Sequence, residues 1–121
     1  MSTNDTYLAV FLGSKSSARR VAWDALPQDD RRAKELEGIA AWKAWIEKNQ
    51  TNIVSMGGPL GKTKRVTQRG IADASNEIGA YMVVRAASHE AAAKLFDSHP
   101  HFVIFPGDAV EVMPVMPIPG G

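Results

Sequence analysis

Apolar residues along this chain of 121 residues recur with two periods, one typical of strands and one typical of helices. The two patterns follow each other in the order strand, helix, strand, strand, helix, strand. Crossover connections in such chains are right-handed, and consecutive elements usually pack as neighbours. This order therefore predicts a four-stranded antiparallel sheet that carries both long helices on one face.

The individual elements are delimited by period and by chain breakers. Strands are predicted where short apolar or alternating runs occur, at residues 7–12, 65–71, 78–86 and 109–113. Helices are predicted at residues 14–25, about 29–48 and about 89–98, and the glycine-rich stretch 57–61 is expected to turn the chain. The predicted fold class is thus α+β, a ferredoxin-like βαββαβ domain. Its uncovered sheet face is expected to meet a second copy in a dimeric α+β barrel.

Length and composition narrow the class of protein. The length suits a single domain, predicted over residues 7–119 and preceded by a flexible polar tail of residues 1–6. Because the chain has no cysteine, disulfides, thiolate metal sites and a cysteine nucleophile are excluded. The longest apolar run has six residues, far short of the roughly 20 that a membrane span needs. With no signal peptide recognised, these features predict a cytoplasmic protein without a membrane partner.

Positive charge does not form a surface for nucleic acid. The net charge is +1, and the dense basic cluster consists of Lys62, Lys64, Arg65 and Arg69. Domains that bind nucleic acid are usually far more basic. The cluster is better explained as a solvated hairpin edge that lysine and arginine protect from aggregation, so no nucleic-acid partner is predicted.

Residues 57–63 have the sequence GGPLGKT, which is close to a phosphate-binding loop. That motif requires a glycine where this chain has Met56. Pro59 removes an amide that would face a phosphate, and a strand rather than a helix is predicted after Thr63. Nucleotide hydrolysis is therefore rejected.

The segment His99-Pro100-His101 is the clearest concentration of chemically versatile side chains. Two histidines one residue apart on an extended segment project to the same side and are able to bind a metal ion. The sequence places no third ligand beside them, and Asp73, Glu77 or Asp108 would have to supply it in space. In a purely structural interpretation, His99 caps the C-terminus of the preceding helix. The remaining interpretation is acid–base chemistry, which suits the ordinary histidine pKa of about 6.5. No metal is predicted.

Asp73 and Asn76 are predicted in the connection that precedes the strand at 78–86. Such residues commonly form a turn by bonding their own backbone, which is the structural interpretation. In the functional interpretation, Asp73 orients a histidine or accepts a proton itself. Trp42 and Trp45 lie on the apolar stripe of the long helix, where core packing is favoured. Trp45, at the margin of the stripe, is also placed to line a pocket.

Several of these features together resemble the YciI-like (YCII-related) family. They are the element order, the loop at residues 57–61, Asp73 before the central strand, and the segment that runs from His99 to the closing strand at 109–113. The resemblance extends over residues 7–119. It implies a small bacterial protein with the dimeric α+β barrel fold.

The resemblance also implies a histidine and an aspartate that face a cleft and act as an acid–base pair. In this sequence they are His99 and Asp73, with Gly58 and Pro59 shaping the pocket edge. One branch of the family has an Asp-Gly-Pro-Phe sequence after its strand. Here Asp73 is followed by Ala74 instead, so the match to that branch is the aspartate alone.

Two functions of different classes remain. The first is a homodimeric, cofactor-independent acid/base enzyme, of the lyase or isomerase type, acting on a small aromatic or lactone-like molecule. Its predicted catalytic residues are His99 and Asp73. Its predicted substrate-binding residues are His101, Gly58, Pro59, Asn76, Trp45 and Phe102. The second function is a non-catalytic dimeric module that binds a small molecule or regulates, in which the His-Pro-His segment is a structural cap.

Overall fold

The structure, a computed structural model, describes residues 5–120. Its strands are β1 (Asp5–Leu12), β2 (Ile53–Pro59), β3 (Thr63–Thr67), β4 (Gly70–Ala74), β5 (Ile78–Ala86) and β6 (Ala109–Pro114). Its helices are α1 (Ala18–Asp24), α2 (Gln28–Lys48), α3 (His89–Lys94) and α4 (Pro100–Val103), and a 3-10 turn over Gln50–Asn52 leads into β2. No helix in the described part of the chain has the length and apolar character needed to cross a membrane.

Four strands form one antiparallel sheet in the order β2-β5-β1-β6. This strand order is that of the ferredoxin-like fold, and it confirms the α+β fold class expected from the sequence. β1 is central: it pairs with β5 on one side and with β6 on the other. A strand in this position has no solvated edge, which explains its nearly continuous apolar sequence.

The hydrophobic core lies between the helices and one face of this sheet. Alternate residues of β1 and β5 point into it, as the two-residue period of a strand requires. The buried members are Tyr7, Ala9, Phe11, Met82, Val84, Ala86, Ala92 and Phe96. Trp42 and Trp45 of α2 pack against this cluster, so the core packing favoured for both tryptophans is observed. Burial of one large side chain such as Phe11 contributes about 1.5–3 kcal/mol.

The opposite face of the sheet carries no helix within residues 5–120. Tyr81 of β5 and Met113 of β6 point to this face and are 37% and 38% exposed. Leu8 and Val10 of β1 lie between them, since residues on alternate positions share a face. One side of the sheet thus has an apolar centre that no helix of the described residues covers, with the exposed Glu111 beside Val10 on the same face.

The second strand of the sheet is β2, and not the strand predicted over residues 65–71. That stretch turns back on itself to form the separate hairpin β3–β4, in which Thr67 pairs with Gly70. Gly70 has a φ of +113°, a conformation that glycine adopts without strain. Because the same alternation of apolar and polar residues continues across this tight turn, the sequence pattern predicted one continuous strand.

The stretch at residues 57–61, predicted as a turn, mostly belongs to the end of β2. β2 is an edge strand, so Pro59 is tolerated although it has no N–H to donate. Gly57 has a φ of +59°, and a Cβ there would overlap the carbonyl of Tyr81. Because the register of β2 on β5 shifts between Ser55 and Gly58, the glycine permits a bulge where a turn was expected.

The first strand begins earlier in the chain than predicted. The predicted tail of residues 1–6 is too long, because Asp5 and Thr6 already pair with Ala86 and Arg85 in the sheet. Polar side chains at the end of a strand stay in solvent while the backbone pairs, so their polarity does not exclude them from β1. The remainder of the predicted tail, residues 1–4, lies outside the described residues.

Two helices are shorter than predicted. α1 begins at Ala18, and not at residue 14, because the Oγ of Ser17 accepts the N–H of Arg20 at 3.1 Å and caps the helix there. α3 ends at Lys94, well before residue 98. Pro100 was expected only to end this helix, but it begins the additional helix α4.

Candidate functional site

The His-Pro-His segment builds α4, which is a single helical turn. Ser98 has a φ of +58° and redirects the chain after α3. Pro100 occupies the first position of α4, where a missing N–H costs no helical hydrogen bond. His99 is the N-cap: its Nδ1 accepts the backbone N–H of His101 at 3.0 Å. The predicted cap at the C-terminus of the preceding helix is therefore wrong, and His99 caps the start of the next helix.

His99 has no exposed surface and is surrounded by aromatic rings. The centroid of its ring lies 4.5 Å from that of Trp42, 4.8 Å from that of Trp45 and 5.3 Å from that of Phe11. Nothing within residues 5–120 forms a hydrogen bond with its Nε2. Burial, with a smaller effect of the charge on His101, lowers the pKa of His99 to about 4. The ring is therefore neutral at pH 7.

His101 is half-buried beside the end of β1. Its Nε2 lies 2.8 Å from the carbonyl oxygen of Leu12 and donates a hydrogen bond to it. The His101 carbonyl in turn accepts the N–H of Gly107 at 2.9 Å. A side chain at position 107 would overlap the His101 ring, so glycine is required there. Burial lowers the pKa of His101, and backbone hydrogen bonds to Leu12 and Ala109 and the charge of Asp108 offset part of this shift.

The two imidazoles therefore present different atoms for chemistry. In a neutral ring one nitrogen carries the proton and the other accepts. The Nδ1 of His99 accepts, so its proton is on Nε2; the Nε2 of His101 donates, so its Nδ1 carries the lone pair. Both rings pack edge to face against Phe11, each with a centroid distance of 5.3 Å. A proton donor and a proton acceptor are thus held against one aromatic side chain.

The cap hydrogen bond leaves His99 without a free lone pair for a metal ion, because its Nδ1 accepts a backbone N–H and its Nε2 carries the proton. The Nδ1 of His99 faces a backbone N–H, and the Nε2 of His101 faces a backbone carbonyl. Across the described residues, no three His, Asp or Glu side chains are grouped in a way that could hold a metal.

An apolar cavity of about 380 Å³ opens beside Trp42. Its lining residues are Ile39, Trp42, Lys43 and Phe105. Trp42 therefore belongs both to the cavity and to the group of aromatic rings around His99. It lines the cavity, and it also makes an edge-to-face contact with the His99 ring.

The loop that carries Phe105 is held by Arg19 of α1. The guanidinium donates to the carbonyl of Gly107 at 2.7 Å, to that of Phe105 at 3.1 Å, and to that of Phe102. The Phe105 ring packs on Gly38, the buried residue of α2, where a Cβ would overlap it. Arg19 and Gly38 together fix one wall of the cavity.

Asp73 lies in β4, opposite Lys64 of β3, and its carboxylate binds the Lys64 ammonium. Both side chains are largely exposed. No hydrogen bond within residues 5–120 connects Asp73 with His99, whose acceptor nitrogen is engaged by the cap. The structure does not bring the predicted catalytic pair together within one protomer.

Three predicted substrate-binding residues form no hydrogen bond with the histidines in the described part of the chain. The Oδ1 of Asn76 accepts the N–H of Ile78 at 2.9 Å, and its Nδ2 donates to the Thr63 Oγ1 at 3.3 Å, so this side chain forms a turn. Gly58 and Pro59 pair with β5 at the sheet edge. Asn76 thus fits the interpretation as a turn-forming residue, whereas Gly58 and Pro59 belong to β2.

Trp45 and Phe102, in contrast, lie close to the histidines. The Trp45 ring contacts that of His99, and its indole N–H donates to the carbonyl of Leu95 at 2.8 Å. Phe102 follows His101 in α4 and lines a second cavity of about 250 Å³. The structure therefore groups His99, His101 and Trp45, with Phe102 adjacent.

Three residues of this region were not predicted from the sequence. Phe11 is indistinguishable from its apolar neighbours in β1, and Arg19 belongs to no motif. Gly38 did give a signal, because glycine inside a helix costs about 1 kcal/mol relative to alanine and often marks a close approach. Here the approaching group is the Phe105 ring.

Comparisons with known proteins add a likeness of fold. No protein-family model matches the chain, and a search of curated proteins gives no match to it. Among solved structures the chain is similar to 5-chloro-2-hydroxyhydroquinone dehydrochlorinase (TftG) from Burkholderia phenoliruptrix AC1100, in complex with 2,5-dihydroxybenzoquinone. The identity is 17% and the TM-score 0.50, with 88% of this chain and 89% of that chain covered. Such a likeness shows the fold alone, and it agrees with the ferredoxin-like α+β architecture described above.

Proposed function

We propose that this chain is a single-domain YciI-like protein that acts as a homodimer and catalyses acid/base chemistry on a small aromatic or lactone-like molecule. The reaction is of the lyase or isomerase type and uses no cofactor. The observation that carries the proposal is the pair of neutral imidazoles held against Phe11, one presenting a proton on Nε2 and the other a lone pair on Nδ1.

Each histidine has a defined role in this proposal. The Nδ1 of His101 removes a proton from a carbon next to a carbonyl, and the Nε2–H of His99 donates a hydrogen bond to the carbonyl oxygen as negative charge develops there. In an isomerase, His101 returns the proton to another carbon. In a lyase, the electron pair instead expels a leaving group, and His101 keeps the proton until solvent takes it. Asp73 has no part within one protomer.

Substrate access involves the aromatic cluster. Because His99 has no exposed surface, a ligand reaches its Nε2 only after a neighbouring ring moves. Trp42 is the natural candidate, since it contacts His99 and also borders the open cavity. Trp45 and Phe102 are the further apolar walls of this proposed site.

Two further observations support the proposal. The apolar sheet face that includes Tyr81 and Met113 is suited to a second copy, as in a dimeric barrel. The dehydrochlorinase with the same fold is a lyase-type enzyme, and it was solved with a small oxygenated ring bound. Fold alone does not determine function, so this likeness supports the same type of chemistry by analogy, and the proposal depends on the two histidines.

A test uses α-angelica lactone, whose isomerisation requires one proton to leave and one to return. In D2O, proton NMR follows both the isomerisation and the incorporation of deuterium. We expect wild type to accelerate both, and His99→Gln and His101→Gln to lose about 100-fold or more of the rate. His89→Gln, a histidine remote from α4, is the matched control and retains the rate. No acceleration by wild type would contradict the enzymatic proposal.

A non-catalytic binding module is the second candidate. It is favoured by the complete burial of His99 and by the use of its Nδ1 as a helix cap, both of which a purely structural histidine would show. Titration calorimetry with 2,5-dihydroxybenzoquinone, together with the lactone assay, separates the two functions. A non-catalytic module binds this ring but does not accelerate the isomerisation of the lactone.

A further inference from the structure

The cavity beside Trp42 has a chemical character of its own. We propose that it binds a small planar aromatic anion, of the benzoate or phenolate class, with the ring against Trp42 and Phe105 and the negative charge beside Lys43. The inference rests on the proposed function only in taking this anion as the substrate class, since binding in the cavity does not require catalysis.

The size and lining of the cavity suit one aromatic ring. Its volume of about 380 Å³ lies at the lower end of the range of roughly 300–1,000 Å³ typical of small-molecule sites. Two of its walls are aromatic, from Trp42 and Phe105, and the third is the side chain of Ile39. Ring-on-ring contacts of this kind contribute about 0.5–1.5 kcal/mol beyond the burial of apolar area.

The aromatic walls are held in place before any ligand binds. The Phe105 ring packs on Gly38, and the Phe105 carbonyl accepts from Arg19 at 3.1 Å. The Trp42 ring contacts His99 and lies with its centroid 5.3 Å from that of Phe11. A preformed site binds more tightly, because little side-chain entropy is lost on binding.

Lys43 gives the cavity its charge preference. It is the one charged residue of the lining, and no acidic side chain accompanies it there. Glu47, one helical turn further along α2, is not ion-paired with Lys43 in the described residues. Lys43 is exposed and lines the cavity with its aliphatic stem, so its ammonium lies beyond the apolar walls. From there the ammonium is able to approach an anionic group at the open side of the cavity, whereas a cationic group on the same ring is repelled.

The location of the cavity connects it with the acid–base pair. Trp42 separates the cavity from His99, with 4.5 Å between the centroids of the Trp42 and His99 rings. A ring stacked on the outer part of Trp42 is therefore one side chain away from the Nε2–H of His99.

The test compares three probes that share one ring and differ in charge: benzoate, benzyl alcohol and protonated benzylamine. Binding is followed by the shift of the indole N–H signal of Trp42, assigned with Trp42→Phe. We expect benzoate to bind most tightly and protonated benzylamine most weakly. Added salt should weaken benzoate binding and leave benzyl alcohol unaffected.

Two variants of α2 provide the control for charge. Lys43→Gln should weaken benzoate binding about two- to fivefold, as expected for one exposed ion pair, and should leave benzyl alcohol binding unchanged. Lys48→Gln removes the same charge from the same helix outside the cavity and should change neither. Gly38→Ala, which displaces the Phe105 ring, should weaken all three probes.

The results separate this inference from the proposed function. If benzoate binds no better than protonated benzylamine, or if Lys43→Gln and Lys48→Gln behave alike, the anion site does not exist. If benzoate binding depends on Lys43 but wild type has no effect on the lactone, the site exists and the lactone form of the enzymatic proposal fails. Turnover that depends on His99 without any benzoate binding would support the enzyme and overturn the anion site.

Discussion

The Nδ1 of His99 accepts the backbone N–H of His101 at 3.0 Å, and this one bond determines where the His99 ring keeps its proton. Because Nδ1 is occupied as an acceptor, the proton of the neutral ring is on Nε2, which is surrounded by aromatic side chains. The same side chain therefore caps a helix and presents a proton donor. His101 is tied to the opposite tautomer through the carbonyl of Leu12.

Stability should fall as the pH is lowered, because of His99. Its pKa is about 4 in the folded protein and 6.5 in the unfolded chain. As the pH falls, the unfolded chain binds the proton first, so stability that is complete above pH 6.5 is lost progressively towards pH 4. The whole shift corresponds to about 3 kcal/mol. Urea unfolding at pH 7.5, 5.5 and 4.5 measures the loss.

Two histidine variants identify the source of this pH dependence. His99→Phe should be less stable at pH 7.5 but should lose less stability on acidification. His101, whose pKa is also lowered, adds to the dependence in the same direction, so His101→Gln is measured in parallel. A wild-type stability that does not change between pH 7.5 and 4.5 would contradict the burial of a neutral His99.

The cap at the start of α4 is tested by two replacements of His99. His99→Phe keeps an aromatic ring but leaves the His101 N–H without its acceptor, at a cost of about 1–3 kcal/mol. His99→Asn keeps an acceptor suited to an N-cap but leaves a cavity. Both variants should be less stable than wild type. Amide exchange at His101 should accelerate in the Phe variant and not in the Asn variant, and equal acceleration in both would rule out the cap.

Asp73→Asn should have little effect on the folded protomer. Its carboxylate pairs with Lys64 on an exposed hairpin, and exposed ion pairs contribute about 0–1 kcal/mol. Urea unfolding of Asp73→Asn and Lys64→Gln should therefore give free energies within about 1 kcal/mol of wild type. A loss well beyond this, or an altered His99 titration in Asp73→Asn, would show a coupling that the geometry of one protomer does not contain.

The mass of the particle in solution tests the proposed homodimer. Light scattering should give twice the 13.1 kDa of one chain at micromolar concentration. Met113→Lys, which places a charge on the uncovered sheet face, should shift the mass towards one chain. Val21→Lys, at an exposed position of α1, is the control and should leave the dimer intact. A single-chain mass for wild type would exclude the dimer.

The sequence predicted the architecture because strand and helix periods are recorded in the apolar pattern. It failed at residues 65–71, where a hairpin with the same alternation on both sides of Gly70 had the pattern of one strand. It identified His99 and His101 because histidine is rare in this chain and chemically distinctive. It could not show that Asp73 lies on a separate hairpin, since that depends on which strands join the sheet.

The sequence likewise could not predict which nitrogen of His99 carries the proton. It depends on the φ of Ser98, which turns the chain so that α4 begins at Pro100 and its N-cap falls on His99. The cavity beside Trp42 depends on Gly38 and Phe105, which are far apart in sequence and meet only in the folded chain. Contacts of this kind leave no periodic signal.

The most direct test is to locate the His99 proton by long-range proton–nitrogen NMR correlation of the imidazole rings at pH 7. The chain has three histidines, so His99→Asn and His101→Gln suffice to assign the signals. We predict a neutral His99 with its proton on Nε2, and no protonation until the pH approaches about 4. A proton on Nδ1, or a His99 that titrates near 6.5, would contradict the cap and the proton donor together.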